Sequence, residues 1–304
     1  MGTDNGPTRA QRTAPEVGAS GGAAPPGRRR PRGRARASGL AGGHPGTLSA
    51  VAEVIPDPGR APTVVVVMPA YNAARTLAST WRAIPSEVVD DVLLVDDRSH
   101  DETLQVAAEL PIRVLALPHN VGYGGNQKTC YLEALRLDAD VVVMLHPDGQ
   151  YDPALIPELI DPILRGDADL SLGSRMIIPG GARRGGMPLY RFVSNKVLTR
   201  IENAVLGTSF SELHTGYRAY SRRFLETVPF LRNSNDFVFD TQVIAQAVAF
   251  GMRVAEVPIE TRYHADASST SMQANIRYGL GTLATMARFR LDRVGIMRSR
   301  LFRP

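Results

Sequence analysis

From residue 63 to residue 172, short apolar runs alternate with segments of helical periodicity, and this alternation strongly limits the possible fold. Residues 64–68 form a continuous valine-rich run, which is typical of a strand buried on both faces of a sheet. Strands that alternate with helices predict βαβ units and an α/β fold, with a mostly parallel central sheet flanked by helices. In such folds a functional site is expected beyond the carboxyl ends of the strands.

The same patterns give boundaries for the elements and for three parts of the chain. The predicted strands cover residues 64–68, 92–95, 112–117, 141–145, 169–172, 214–220 and 253–262. The predicted helices cover residues 73–84, 102–110, 125–137, 153–164, 189–206, 221–228, 237–250 and 273–293. We predict a disordered tail over residues 1–60, a folded domain over residues 61–270 and a C-terminal basic helix over residues 271–304.

The tail carries the net charge of the chain. Residues 1–60 contain 9 Arg, no Lys and 4 acidic residues, whereas the remaining residues contain 26 basic and 26 acidic ones. The tail also holds 12 of the 28 Gly and 8 of the 22 Pro. A segment of this composition buries too little apolar surface to offset the entropy lost on ordering, so we expect it to be disordered.

The arginine cluster between residues 28 and 36 has three interpretations. It could be a nucleic-acid-binding arm, a tether to anionic lipid, or a solvated tail. Arg is the prevalent cation throughout, since the chain has only the lysines Lys128 and Lys196. We therefore favour the solvated tail and expect no nucleic-acid partner.

The composition also indicates the cellular compartment of the protein. One cysteine, Cys130, excludes an intrachain disulfide framework and a multi-cysteine zinc site. The tail has no apolar run of signal-peptide length, and no stretch approaches the ~18–20 apolar residues of a membrane span. These features predict a cytoplasmic protein that is soluble or peripheral to a membrane.

The ends of the first two predicted strands carry polar and aromatic residues. Pro69, Tyr71 and Asn72 follow the first strand and suit a loop that stacks on a nucleobase, although an ordinary strand-to-helix turn uses the same residues. Asp96 and Asp97 end the second strand. Adjacent carboxylates there are suited to a ribose diol or a base N–H, and the alternative is that Ser99 or Asp101 caps the next helix. The two roles are compatible, with Asp97 binding and Asp101 capping.

The third strand leads into the glycine-rich segment 119–126, which contains Gly122, Gly124 and Gly125. Glycines let the backbone approach a ligand closely, and the start of the following helix favours anions. The segment is not a Walker A loop, because no Gly-Lys-Ser/Thr follows, and the first βα turn lacks the dinucleotide-binding fingerprint. Gly122 and Gly124 are therefore candidate nucleotide-binding residues.

The fourth strand ends in His146, Asp148 and Gln150, which share one face if the chain stays extended. Oxygen ligands suit Mg²⁺ or Mn²⁺, and an imidazole shifts the preference toward Mn²⁺. The alternative is a simple turn, since Pro-Asp-Gly is favourable turn chemistry. The sequence thus predicts a candidate site for Mg²⁺ or Mn²⁺.

Taken together, these segments resemble the family 2 glycosyltransferases of the GT-A fold, and among them the dolichol- and polyprenyl-phosphate hexose synthases. The similar segments occur in the family's order and cover residues 64–77, 92–103, 119–127, 146–153, 173–176, 214–223 and 255–259. The resemblance implies a GT-A domain, a nucleotide-sugar donor, a divalent metal and a polyprenyl phosphate acceptor.

The resemblance also implies roles for individual residues at the donor. Pro69, Tyr71, Asn72, Asp96 and Asp97 correspond to the residues that hold the nucleotide. The family's D-x-D-x-Q segment, which binds the metal and the diphosphate, maps onto His146, Asp148 and Gln150, with a histidine in place of the first aspartate.

Other positions correspond to residues near the sugar and the acceptor. Arg175 matches the family's G-S-R arginine near the transferred sugar or the acceptor phosphate. Arg191, Ser194 and Arg218 match residues of the acceptor side. The family's R-x-x-G-E-S-K segment is not matched after residue 259, and Arg262 or His264 would supply its positive charge.

The implied chemistry is an inverting hexose transfer to the acceptor. A phosphate acceptor needs no general base, whereas a hydroxyl acceptor would need Asp240 or Asp236. Asp240 could equally be the structural partner of an arginine. Two further hypotheses are a sugar nucleotidyltransferase, which would want a glycine-rich loop after the first strand, and a non-catalytic basic protein that binds membranes or nucleic acid.

The C-terminal segment has its own pattern. Residues 287–304 carry six Arg against one acidic residue, with apolar residues between them. This mixture predicts peripheral association with an anionic membrane surface on the cytoplasmic side. The alternative is a helix that packs on the domain and ends in a frayed basic stretch.

Overall fold

The structure, a computed structural model, describes residues 60–261 and 272–304. The predicted disordered tail, apart from Arg60, lies outside the described residues, and so does the predicted boundary at residue 270. Arg262 and His264, which were expected to supply a positive charge, also lie outside them.

The described residues form one mixed sheet, and its strands follow the predicted apolar runs. The strand order is β3-β2-β1-β4-β6-β5-β7. Only β6 runs antiparallel to its neighbours β4 and β5, so the prediction of a mostly parallel sheet is confirmed. The strands are β1 (Val64–Ala70), β2 (Asp91–Asp96), β3 (Arg113–Ala116), β4 (Val141–Met144), β5 (Leu170–Ser174), β6 (Arg218–Ser221) and β7 (Val254–Pro258).

Helices cover both faces of the sheet, because β1 and β4 are apolar on both sides. Val65 and Val67 pack into a core cluster with residues of α3, α8 and α9, whereas Val64 and Val66 pack into a second cluster with α1, α2 and α4. The helices are α1 (Leu77–Arg82), α2 (Thr103–Ala108), α3 (Tyr123–Arg136), α4 (Ile156–Leu164), α5 (Gly181–Arg184), α6 (Leu189–Leu206), α7 (Arg222–Thr227), α8 (Phe239–Ala249) and α9 (Met272–Arg293).

The predicted elements are present, with differences at their ends. Helix α3 begins at Tyr123, two residues before the predicted start, because Gly122 adopts a φ of +84° and ends the preceding loop there. Residues 214–217 were predicted as part of a strand but precede β6, since their polar groups bond to other loops. The short helix α5 was not predicted, because four residues show no apolar periodicity.

The C-terminal segment packs largely against the domain. Phe289, Leu301 and Phe302 are buried in the core cluster, and buried Asp292 accepts a hydrogen bond from Arg303. These three apolar side chains are therefore not available to a membrane, and the packed-helix alternative describes them correctly. Among the described residues, no helix combines the length and the apolar character that crossing a membrane requires.

Candidate active site

A cleft of about 1230 Å³ opens at the carboxyl ends of β1, β2 and β4, where the site was expected. It brings together most of the residues singled out in the sequence. Its wall contains Pro69, Tyr71, Asn72, Asp97, Gly122, His146, Asp148, Gln150, Arg175, Arg191, Asp236 and Asp240.

One end of the cleft is formed by the loop after β1. Asn72 adopts a left-handed conformation with a φ of +54°, and its side-chain oxygen accepts a hydrogen bond from the His100 backbone N–H at 2.8 Å. Its own N–H donates to the Ser99 hydroxyl at 2.9 Å. These bonds fix the loop and leave the ring of Tyr71 half-exposed at the rim. Such a ring can stack on a planar base.

The two adjacent aspartates have different environments. Asp97 lies in the cleft wall, and its carboxylate accepts hydrogen bonds from the backbone N–H groups of Val121 and Gly122. Burial raises the pKa of Asp97 in spite of these bonds. Asp96 is buried and accepts hydrogen bonds from the backbone N–H and hydroxyl of Ser99. The expectation that Asp96 holds the nucleotide does not fit this geometry, because its carboxylate stabilises the turn after β2.

The glycine-rich segment closely approaches protein backbone. The Gly124 N–H donates to the Asn235 carbonyl at 2.8 Å, and a Cβ on Gly124 would lie 2.5 Å from the Ser234 carbonyl oxygen. A Cβ on Gly122 would lie 2.7 Å from the Asn235 carbonyl oxygen. Gly122 lines the cleft, but Gly124 is glycine because residues 234–235 pack against it. The expectation that Gly124 binds nucleotide is corrected accordingly.

The Asp148 side chain lies in a turn, not in an extended strand. Strand β4 ends at Met144, and Gly149 adopts a φ of +71°. Asp148 accepts hydrogen bonds from the backbone N–H of Gln150 at 3.0 Å and from its side-chain amide at 2.8 Å. Residues 146, 148 and 150 therefore do not share one face of an extended strand, and that prediction is wrong. The turn still brings Asp148 and Gln150 together in the cleft wall.

His146 is held within the wall by its neighbours. Its ring stacks on Tyr123 with centroids 5.5 Å apart, and its Nε2 lies 3.3 Å from the Tyr123 hydroxyl. A Cβ on Gly216 would lie 2.8 Å from the same nitrogen, so the histidine fits here only against a glycine. These contacts give His146 a packing role, and its role as a metal ligand stays a prediction.

Asp240 lies at the centre of a buried polar network. Its Oδ2 accepts a hydrogen bond from the Tyr123 hydroxyl at 2.8 Å, and its Oδ1 lies 3.4 Å from the guanidinium of Arg218. Arg218 is fully buried and also donates to the Thr215 and Leu213 carbonyls. The expectation that Arg218 binds the acceptor does not fit this burial. Arg218 instead fixes Asp240, which is the ion-pair alternative considered for that carboxylate.

Arg175 enters the wall from the end of β5. Its backbone N–H and guanidinium donate to buried Glu212, and a further guanidinium nitrogen donates to the His214 carbonyl at 2.7 Å. The ion pair keeps the pKa of Glu212 below its usual value, although burial alone would raise it. The side-chain amide of Asn195, on α6, completes the set by donating to Glu212 at 2.7 Å.

The two α6 residues that were expected to bind the acceptor, Arg191 and Ser194, point in different directions. Arg191 lies in the cleft wall, with its Nε 3.1 Å from the Tyr190 hydroxyl. Ser194 is exposed, and its hydroxyl donates back to the Tyr190 carbonyl at 2.6 Å. The expectation that Ser194 binds the acceptor therefore does not fit its orientation.

Sequence reasoning missed a second network between α6 and α9. His214 lies in the cleft wall, with its Nε2 2.9 Å from buried Glu202 and its Nδ1 2.6 Å from the Tyr278 hydroxyl. Burial raises the pKa of Tyr278, and the negative charge of Glu202 adds to that effect. A glutamate on the inner side of a helix with apolar neighbours was the available signal, since such a residue requires a partner.

Comparison with known proteins identifies the family. A family model described as glycosyl transferase family 2 matches residues 65–228, more than half of the chain. The chain belongs to this family. The prediction from the sequence motifs is thus confirmed, and the protein is a family 2 glycosyltransferase with the α/β architecture expected for it.

Two characterised relatives are similar over most of this glycosyltransferase. The low-salt glycan biosynthesis hexosyltransferase Agl6 of Haloferax volcanii is 30% identical over 78% of this chain and 59% of its own length. The chain thus spans less than two thirds of that relative. The polyprenol monophosphomannose synthase of Mycolicibacterium smegmatis is 30% identical over 77% of this chain and 91% of its own length.

A solved structure supports the fold. Glucosyl-3-phosphoglycerate synthase from Mycobacterium tuberculosis, in complex with Mn²⁺, UDP and phosphoglyceric acid, superimposes with a TM-score of 0.60 at 22% identity. The match covers 78% of this chain and 80% of that chain. This similarity shows that the family 2 glycosyltransferase has the fold of a GT-A enzyme.

The donor atoms of the cleft fit a divalent ion shared with a substrate. Within residues 60–261 and 272–304, no group of three or more His, Cys, Asp or Glu side chains is placed to form a complete protein cage. The Asp148 carboxylate lies in the wall, and the Gln150 amide beside it, whose nitrogen donates to that carboxylate, carries a further oxygen. Mg²⁺ is characteristically held by one or two carboxylates together with substrate phosphates, and this donor set agrees with that mode.

Proposed function

We propose that this glycosyltransferase moves a hexose, with inversion, from a nucleoside-diphosphate sugar to a polyprenyl phosphate. The observation that carries the choice of acceptor is the state of Asp240. Both of its carboxylate oxygens already have partners, Tyr123 on one side and Arg218 on the other. Taking up a proton would remove the negative charge that balances the buried Arg218 guanidinium, and a phosphate acceptor requires no such step.

The donor end of the cleft would hold the nucleotide. Tyr71 at the rim offers a stacking surface, and Asn72 and Pro69 shape the loop beside it. Asp97, oriented by two backbone N–H groups of the glycine-rich loop, presents a carboxylate edge to a ribose hydroxyl or a base N–H. The diphosphate would then extend toward Asp148.

Asp148 and Gln150 would hold the divalent ion, Mg²⁺ or Mn²⁺. When bound, such an ion neutralises the negative charge that develops on the departing diphosphate. The contribution of this chain is the orientation of Asp148, since two hydrogen bonds from Gln150 fix its carboxylate.

The acceptor end is cationic. Arg175, oriented by Glu212, and Arg191 both reach the wall and would bind an anionic phosphate. The acceptor oxygen would attack the anomeric carbon from the face opposite the diphosphate. The bond from that carbon to the diphosphate oxygen then breaks, and the configuration inverts.

The similar proteins support the same class of acceptor. A polyprenol monophosphomannose synthase is among the similar proteins. A polyprenyl chain stays in a bilayer, so we also propose that the enzyme works at a membrane surface. A cytoplasmic location, peripheral on the inner face of the membrane, is part of this proposal.

The test is a transfer assay with UDP-, GDP- and dTDP-hexoses, Mn²⁺ or Mg²⁺, and a short-chain polyprenyl phosphate. We expect product only when the phosphate acceptor is present, and formation of the anomer inverted relative to the donor. Asp240→Asn, checked for folding by circular dichroism, should lower kcat less than tenfold. Transfer to the dephosphorylated polyprenol, with collapse of kcat in folded Asp240→Asn, would instead establish a hydroxyl acceptor with Asp240 as base.

A further inference from the structure

Helix α6 is amphipathic, but its apolar side faces outward and its mainly polar side faces the domain, which is the reverse of an ordinary surface helix. Its outward side carries apolar residues, with Leu189 61% exposed and Val193 and Val197 each 50% exposed. Its buried side is mainly polar and contains Asn195, Thr199 and Glu202, together with Leu206. The outward side also includes Tyr190 and Ile201. In water, such a helix leaves its apolar face without a packing partner among residues 60–261 and 272–304.

The polar inner side of α6 has a structural cause. Asn195 donates to Glu212, the partner of Arg175, and Glu202 contacts His214. The helix must therefore direct its polar residues at the cleft, and its apolar residues are left facing outward.

Helix α9 repeats the pattern next to α6. Ile276, Leu280 and Leu283 are exposed at 57%, 63% and 40%, whereas Thr282 and Thr285 are buried. The two helices pack against one another, and both contact His214 from their inner sides, through Glu202 and Tyr278. Their outer sides consequently form one surface.

This surface begins at the mouth of the cleft. Arg191 and Asn195 of α6, and Asn275 and Tyr278 of α9, line the cleft wall. We refer to the exposed apolar residues of the two helices as the α6–α9 face. They are Leu189, Tyr190, Val193, Val197, Ile201, Ile276, Leu280 and Leu283. An exposed apolar surface of this kind marks an interaction site.

The charges on the two helices identify the partner. The exposed ionisable residues within and beside the α6–α9 face are Lys196, Arg200 and Arg277, all cationic. The acidic residues of the two helices, Glu202 and Asp292, are both buried. Two copies of the chain that met through this face would bring like charges together. An anionic lipid surface neutralises the cations and covers the apolar side chains.

We infer that the α6–α9 face binds an anionic bilayer and holds the mouth of the cleft against the lipid headgroups. The inference builds on the proposed membrane association but not on the chemistry of the cleft. It also assigns the association to the α6–α9 face, whose α9 residues end at Leu283, instead of to residues 287–304. In that segment Phe289, Leu301 and Phe302 are buried, although Ile296 is 75% exposed.

The test compares vesicle binding by matched variants of the full chain. The face variant is the double substitution Val193→Asp and Leu280→Asp, and the control is Ile296→Asp, at an apolar position outside the face that is still more exposed. Vesicles contain equal parts of phosphatidylglycerol and phosphatidylcholine, and a second set contains phosphatidylcholine alone. Co-sedimentation measures binding, and thermal unfolding checks that each variant is folded.

We expect wild type and Ile296→Asp to bind the anionic vesicles, and the face variant to bind at least tenfold more weakly. Binding to phosphatidylcholine alone should be weak for all three. Equal binding by the face variant would overturn the inference. So would a wild-type dimer in sedimentation velocity that the face variant converts to a monomer while vesicle binding is unchanged, because the face would then join two copies.

A further measurement separates this inference from the proposed function. Transfer to a short-chain, water-soluble polyprenyl phosphate does not require a bilayer. We expect the face variant to retain transfer to that acceptor within threefold while it loses vesicle binding. If the face variant instead lost transfer to the water-soluble acceptor but still bound vesicles, the proposed role of the face would be contradicted. The wild-type transfer assay would then test the proposed chemistry by itself.

Discussion

Arg175 donates its backbone N–H and its guanidinium to the same carboxylate, that of Glu212, at 2.8 and 2.9 Å. Both side chains are buried. Arg175, which we propose binds the acceptor, is thus a rigid group in the cleft wall whose direction is set by a residue that does not itself line the cleft. Position 175 was predicted from a motif, but its partner was not.

Replacing Glu212 with Gln should leave the charge of Arg175 buried without its counter-ion. We expect the free energy of unfolding at pH 7 to fall by about 3–5 kcal/mol, because the broken pair is desolvated. Urea denaturation measures this loss. Glu226→Gln is the control, since Glu226 pairs with Arg222 on the surface and should cost no more than about 1 kcal/mol.

The same pair predicts a pH dependence. The pKa of Glu212 is lowered in the folded protein from its usual 4.5, so the unfolded chain binds more protons in the window below 4.5. The stability that Glu212 contributes is present above pH 4.5 and is lost as the pH falls through the folded pKa. The difference between wild type and Glu212→Gln should therefore shrink below pH 4.5. A difference that stays constant down to pH 3 would contradict this account.

Arg218 and Asp240 should be coupled energetically. Arg218→Met removes the buried cation and is expected to cost about 3 kcal/mol, since Asp240 keeps its charge. Adding Asp240→Asn should recover at least about 1 kcal/mol. A double-mutant cycle from denaturation curves measures the coupling. Strict additivity of the two single changes would show that Arg218 does not fix Asp240.

Gly124→Ala should disturb the cleft without touching a ligand. The new Cβ would meet the Ser234 carbonyl at 2.5 Å and the Phe239 Cβ at 2.8 Å, and neither neighbour is the end of a flexible side chain. We expect a loss of about 1–3 kcal/mol in stability and weaker donor binding by calorimetry. Gly279→Ala in α9, with open space at its Cβ, should be neutral or stabilising. Similar behaviour of both variants would refute the packing role of Gly124.

His146 offers a test of its own role. Its Nε2 lies near the Tyr123 hydroxyl and close to Gly216, so we predict that His146 packs in the cleft wall and is not a metal ligand. His146→Asp should then lower the rate while leaving the ratio of kcat/KM with Mn²⁺ to that with Mg²⁺ within about twofold. A ligand would behave differently, because exchanging nitrogen for oxygen favours Mg²⁺. A tenfold shift of the ratio toward Mg²⁺ would establish His146 as a ligand.

The fold was predictable because its information is local. The apolar run of β1 and the periodicity of α6 each specify an element over a few residues, and α6 was predicted with its observed limits. Element ends were less predictable, since they depend on contacts between distant loops. The φ of Gly122, which starts α3 early, accompanies the packing of that glycine against Asn235.

The site was predictable where a side chain simply follows a strand, as Asp97 and Asp148 do. Prediction from the sequence failed where two candidate residues are adjacent and only one of them faces the cleft, as with Asp96 and Asp97. Burial decided the role of Arg218, and no local pattern reports the burial of an arginine. Glu212, which orients Arg175, was not found because it lies in a loop 37 residues away from Arg175 along the chain.

The central claim is that Asp148 binds the donor's diphosphate through a divalent ion. The most direct measurement is kcat/KM of Asp148→Asn for the nucleotide sugar in saturating Mn²⁺, with Asp138→Asn as the control at a side chain that is 88% exposed. We expect a loss of about a thousandfold for Asp148→Asn, since the stabilised charge is worth several kcal/mol, with an unchanged Tm and no loss in the control. Wild-type turnover by folded Asp148→Asn would contradict the account.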